Sequence, residues 1–138
     1  MNLQPLADAA LPIQVHVVTI VPAFVIGTWL IFFSRKGSRY HRLAGKAYLA
    51  LMVMTSMAAV FVRSFSGLSV DVGPLRLGLI HLFVPLTLYG VWGTLSALRS
   101  GDIAGHRGSM RGVYFGALII AGLLTFAPGR IMYRIFLD

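Results

Sequence analysis

Four histidines, His16, His41, His81 and His106, are the strongest candidate ligands in this 138-residue chain. The sequence has no cysteine and no glutamate, and its four aspartates (Asp8, Asp71, Asp102, Asp138) fall in expected loops or tails. Disulfides, thiolate metal sites and C-x-x-C-H haem attachment are therefore excluded. Imidazoles and six methionines are what remains. Paired imidazoles suit a b-type haem, whose potential is set by its axial ligands and their surroundings. A closed zinc site wants four ligands, and each histidine pair supplies two. Copper and quinone stay open as alternative occupants.

The pairing follows from an internal repeat. "PAFVIGTW" (22–29) and "PLTLYGVW" (85–92) keep proline, glycine and tryptophan at an offset of sixty-three. "SRKG" (34–37) answers "LRSG" (98–101) at sixty-four, and "HRLAGK" (41–46) answers "HRGSMR" (106–111) at sixty-five. His16 is thereby matched with His81 and His41 with His106, one pair expected near each membrane face, each made by diagonal helices. Arg42 and Arg107 beside the second pair, and Arg76 near the first, are expected to meet haem propionates or lipid headgroups. The first pair carries a phase problem. His16 and His81 are sixty-five apart while the prolines between histidine and tryptophan repeat at sixty-three. Two extra residues turn a helix by about 200°, so both rings face the axis only if the backbone rewinds near Pro22 and Pro85. His16 also lies about 27 Å from the far end of its helix at 1.5 Å per residue, a wide gap for two communicating haems. The competing expectation is a cofactor-free accessory or assembly subunit, its histidines satisfied by neighbouring helices or lipid phosphate.

The elements that must position these side chains belong in a bilayer. Hydrophobic residues make up 57% of the chain, charged residues 12%, and the mean hydropathy is +0.81, against about 25% charge in a soluble domain. Apolar runs of about the 20 residues needed to span are expected over 13–33, 43–62, 77–98 and 112–127, with a Gly/Ser-rich loop over 64–74 and a stop at "PGR" (128–130). The fold class expected is all-α: a single domain over 1–138, four transmembrane helices in a bundle of two duplicated hairpins (about 12–63 and 75–128), with a pseudo-two-fold axis along the membrane normal. The first run is too long for a cleaved signal peptide. Eight basic residues (Arg35, Lys36, Arg39, Arg42, Lys46, Arg99, Arg107, Arg111) sit on one side, against Arg63, Arg76, Arg130 and Arg134 on the other. Both termini are accordingly expected outside. The net charge of +8 reads as these loops meeting anionic headgroups, not as a nucleic-acid surface. Trp29 and Trp92 read as interfacial belt, Gly27 and Gly90 as close helix contacts, Met52, Met54 and Met57 as packing, and 130–138 as a short interfacial helix.

"RYHRLAGKAY" (39–48), "HRGSMRGVY" (106–114) and "PGR" (128–130) together resemble a family of small bacterial four-span membrane proteins of unknown function, over about residues 14–134. The resemblance implies a multi-pass protein of the bacterial inner membrane and carries no reaction. In architecture the paired histidines are similar to those of diheme b-type cytochromes. That likeness implies haem b and electron transfer between a quinone or a redox partner and another membrane component, by analogy of fold alone.

Overall fold

The computed structural model describes residues 3–62, 69–128 and 130–137. A short helix, α1 (Gln4–Ala7), precedes α2, which runs as an α-helix over Leu11–Thr28 and widens into π-helical turns over Trp29–Phe33. After α3 (Arg39–Val60) come two short strands, β1 (Ser69–Val72) and β2 (Leu75–Gly78). Helix α4 opens with a 3₁₀ turn over Leu79–Leu82 and continues through Phe83–Ser100. Helix α5 (Ile103–Arg111) widens into π-helical turns over Gly112–Ile120 and ends at Ala121–Leu124, and α6 spans Ile131–Phe136.

Among the described residues three helices are long and apolar enough to cross a membrane: Leu11–Phe33, Arg39–Val60 and Ile80–Ser100. The fourth expected span is helical from Ile103, but Arg107 and Arg111 lie in its first half. Large apolar side chains such as Val18, Val25, Met54, Tyr89, Trp92 and Leu123 face outward, as helices solvated by lipid require, because in hydrocarbon each backbone must satisfy its own hydrogen bonds. Of the three methionines read as packing, Met52 is buried in the core while Met54 and Met57 are exposed.

The turns between helices obey the same local chemistry in both sequence halves. Gly37 (φ 78°) and Gly101 (φ 72°) adopt the left-handed conformation that lets a helix stop and the chain reverse. The residue after each glycine caps the next helix. Ser38 accepts from the His41 backbone N–H at 3.1 Å, and Asp102 accepts from that of Gly105 at 2.8 Å. These caps explain why α3 and α5 begin several residues before the apolar runs expected at 43 and 112.

The expected loop over 64–74 and the expected helix start at 77 need correction. Residues 69–78 form an antiparallel hairpin in which Ser69 faces Gly78 and Val72 faces Leu75, turned by Gly73 at φ 58°. Arg63, residues 64–68, Gly129 of the "PGR" stop and Asp138 lie outside the described residues, so the loop, stop and charge-count expectations on them do too. The 130–138 segment is helical over Ile131–Phe136, packed against α1.

Helices α2 and α3 pack as a hairpin, α3 lies against α4, and α4 against α5. Helix α5 returns to α2 through a 2.8 Å hydrogen bond between the hydroxyls of Thr28 and Tyr114 and an edge-on contact of Phe32 with Tyr114. A buried cluster including Ala23, Leu30, Tyr48, Met52, Val91 and Val113 runs between them. Gly27 makes room for it: a Cβ there would stand 2.7 Å from Cε2 of Tyr48 and 3.1 Å from Cδ2 of Tyr114. At Gly90, its counterpart in the repeat, a Cβ would run into Val113, and Val113 is Tyr48 advanced by the histidine offset of sixty-five.

Candidate histidine centre

At the basic end, where α2 and α4 finish and α3 and α5 begin, carbonyls at the close of α2 need partners from outside the helix. The Ser34 hydroxyl donates to the Leu30 carbonyl at 2.9 Å, and Lys36 Nζ donates to the carbonyls of Leu30 and of Ile31, the latter at 3.0 Å. A cation is favourable at that terminus. A carbonyl can only accept, so the serine hydrogen is committed to Leu30. The Ser34 oxygen therefore takes the Nδ1 hydrogen of His41, 2.8 Å away, leaving Nε2 of the neutral ring with an open lone pair. Arg42 closes the same turn, donating to the Gly37 carbonyl at 2.9 Å.

His106 occupies the corresponding place on α5, with its ring beside the Thr94 backbone. Thr94 is Leu30 advanced by sixty-four. The first half interposes Ser34 between histidine and carbonyl, whereas the second has Leu98 there, which has no hydroxyl to bridge. His106 Nδ1 is buried without a hydrogen-bond partner among the described residues, as are the hydroxyls of Tyr48 and Thr94, both side chains fully enclosed. Leaving a buried polar group unpaired costs about 1–3 kcal/mol, so three such atoms on α3, α4 and α5 mark this half of the protein as a polar interior. Lys36 and His106 both stand close enough to His41 for their charges to act on it. His41 and His106 thus stand at the same end of the protein, each in the first turns of its helix. The motifs over 39–48 and 106–114 end on Tyr48 and Tyr114 but give them no role, and sequence reasoning missed Ser34, Lys36 and Thr94 as parts of a site. Threonine amid the apolar residues of a span, here Thr94 along with Thr87, was the signal for the last.

The other two histidines are engaged differently. His16 donates from Nδ1 to the Thr55 carbonyl at 3.1 Å, beside a buried hydroxyl pair in which Thr55 donates to Thr19 at 2.7 Å. In His81 the backbone N–H of Gly78 donates to Nδ1 at 3.0 Å, which places the ring hydrogen on Nε2, and Nε2 donates to the Val62 carbonyl at 2.9 Å. Both ring nitrogens of His81 are therefore taken by backbone, and the residue sits in the 3₁₀ turn before α4, not in an α-helical phase comparable with His16. Arg76, opposite Asp71 across the hairpin, lies 3.9 Å from its carboxylate, both exposed. An ion pair of this kind contributes little.

Burial pushes the His106 imidazole below its ordinary value, partly offset by the Thr94 backbone. A histidine whose pKa is lowered by folding stabilises the protein in its neutral form. That contribution is present above the unfolded value of 6.5 and declines as pH falls below it. Melting in detergent is expected to drop by a few degrees between about pH 7.5 and 5.5, and His106→Gln should flatten the profile. An unchanged slope in that variant would remove His106 as its source. Lys36 is held below the ordinary lysine value first by desolvation and then by repulsion from Arg107 and Arg111.

Residues 13–136 match the family described as "Predicted membrane protein (DUF2306)". The chain belongs to that family. No curated protein and no solved structure gives a significant match.

Proposed function

We propose that this DUF2306 protein is a four-span membrane cytochrome of the bacterial inner membrane, built from two like hairpins, with one b-type haem between His41 and His106 at the cytoplasmic end. The observation that supports the reading is that two repeat-equivalent histidines stand at the same, basic end, where Nδ1 of His106 is buried and unpaired and Nε2 of His41 carries an open lone pair. The fit is local. His41 would offer Nε2, oriented by its bond to Ser34, as ligating histidines usually are by a second hydrogen bond on the other nitrogen. His106 would offer Nδ1. Arg107, and Arg42 if it leaves Gly37, would neutralise propionates. Haem b supplies one-electron transfer, toward a quinone or a membrane redox partner. The hairpin-end pair does not fit a second haem, because His81 has no ring nitrogen to give. The like caps at Ser38 and Asp102 and the like turns at Gly37 and Gly101 support the duplicated hairpins.

The test is a reduced-minus-oxidised spectrum of protein purified in detergent after expression with ample haem. A b-type band is expected at one haem per chain. A featureless spectrum would instead favour the second reading, a cofactor-free accessory subunit, to which the backbone ties of His16 and His81 already lend weight. Orientation is tested separately. With the described basic residues concentrated at the loops after α2 and α4, reporter fusions at Gly37 and Leu137 are expected to read cytoplasmic and external respectively. The reverse pattern would invert the protein in the membrane.

A further inference from the structure

We infer that the seam between α2 and α5 at the basic end is a binding site for one anionic phospholipid, its phosphate held by Arg107 and Arg111 beside the Lys36 ammonium and its acyl chains laid on Phe32 and Phe115. The inference rests on these helices lying in a bilayer and is independent of any haem.

Three observations converge on the seam. The first is position. Thr28 and Phe32 of α2 hold Tyr114 of α5 by a hydrogen bond and an edge-on ring contact, and Phe32 also meets Phe115 edge-on at 6.5 Å between centroids. Lys36 follows the end of α2 and folds back onto its Leu30 and Ile31 carbonyls, and Arg111 lies three residues before Tyr114, so the contacts that join the helices put both cations at the same end of the seam. The second is uncompensated charge. Lys36, Arg107 and Arg111 are all exposed, and they are near enough to repel one another. Among the described residues the one ion pair is Arg76 with Asp71, at the other end of the protein. Asp102, the nearest acid in sequence, is occupied in capping α5 through Gly105. Three clustered cations with no carboxylate call for an anion, and a phosphodiester is the anion at that level of a membrane. The third is the shape of the apolar surface beneath. Phe32 is 59% exposed and Phe115 45% exposed although their rings touch, so the seam offers an aromatic floor directly below the cations. A free phosphate needs only the cations. A phospholipid uses both.

The experiment is native mass spectrometry of the full chain in detergent, titrated with phosphatidylglycerol, with phosphatidylcholine of the same acyl chains, and with phosphatidylglycerol in the presence of millimolar inorganic phosphate. Retention of one phosphatidylglycerol is expected in marked preference to phosphatidylcholine, and phosphate should not displace it. Lys36→Gln with Arg111→Gln should weaken retention roughly thirtyfold, at about 1 kcal/mol per basic residue near a headgroup. Arg107→Gln alone, at an exposed position, should weaken it less and serves if the double variant does not fold. Arg99→Gln, a charge lost elsewhere at the same end, should leave retention unchanged. Equal retention of the two lipids, or an equal loss in Arg99→Gln, would overturn the site in favour of diffuse charge. Displacement by inorganic phosphate would overturn the lipid as its occupant.

Discussion

Alanine at His41 or at His106 is expected to abolish the haem spectrum, while alanine at His81 leaves the spectrum in place and lowers the melting temperature. The difference comes from what each ring nitrogen already does. An axial imidazole at the basic end has no second imidazole to replace it, because His16 and His81 are engaged at the other end and the protein has no cysteine. His81 instead accepts from the Gly78 N–H and donates to the Val62 carbonyl, tying the β-hairpin to the end of α3. Losing both bonds costs about 1–3 kcal/mol for each group left without a partner, somewhat less where water reaches it. His16→Ala should behave like His81→Ala, since its ring is engaged with the Thr55 carbonyl. Haem loss in His16→Ala and His81→Ala, with the His41 and His106 variants intact, would move the centre to the hairpin end. Haem retained in all four single variants would mean that no histidine pair holds it.

How far the sequence leads depends on how local the deciding physics is. The apolar runs locate α2, α3 and α4 because a helix in lipid is dictated by composition over about 20 residues. The offset of sixty-five places His41 and His106 alike at the starts of their helices, because both follow a glycine turn and a cap that the sequence displays as "GS" and "GD". The same offset misleads at His16 and His81. Counting residues assumes one helical pitch throughout, but His81 lies in a 3₁₀ turn led in by a strand, and no α-helical phase connects it to Trp92. The strands themselves were hidden in "SVDVGPLRLG", where Gly-Pro suggests a loop but the alternating valines and leucines around it pair across the turn. Lys36 is a case of a different kind. Composition marks it as one basic loop residue among eight, and only the fold of its side chain back onto the carbonyls of Leu30 and Ile31 makes it part of a cluster with Arg107 and Arg111.

Glycine substitutions at two positions are expected to act with opposite signs, and the larger effect reports directly on the packing that holds His41 in place. Gly27→Ala puts a methyl 2.7 Å from the Tyr48 ring and 3.1 Å from the Tyr114 ring. Neither ring has an easy retreat. Tyr48 is fully enclosed, and Tyr114 is pinned through its hydroxyl to Thr28, one residue from the substitution. Forcing a methyl into such a contact costs about 1–3 kcal/mol, and any shift of Tyr48 is carried along α3 toward His41 two turns away. Gly45, on the same helix as Tyr48, has no atom within 4 Å of the place a methyl would take, so Gly45→Ala should gain about 0.5–1 kcal/mol from reduced backbone freedom in the unfolded chain. Thermal melting of the two variants in one detergent decides it: Gly27→Ala should fall below the parent protein and Gly45→Ala should match or exceed it. If Gly27→Ala were as stable as the parent, α2 would not be in close contact with both tyrosines. The packing that sets α3 and α5 each against α2 would then lose its main support.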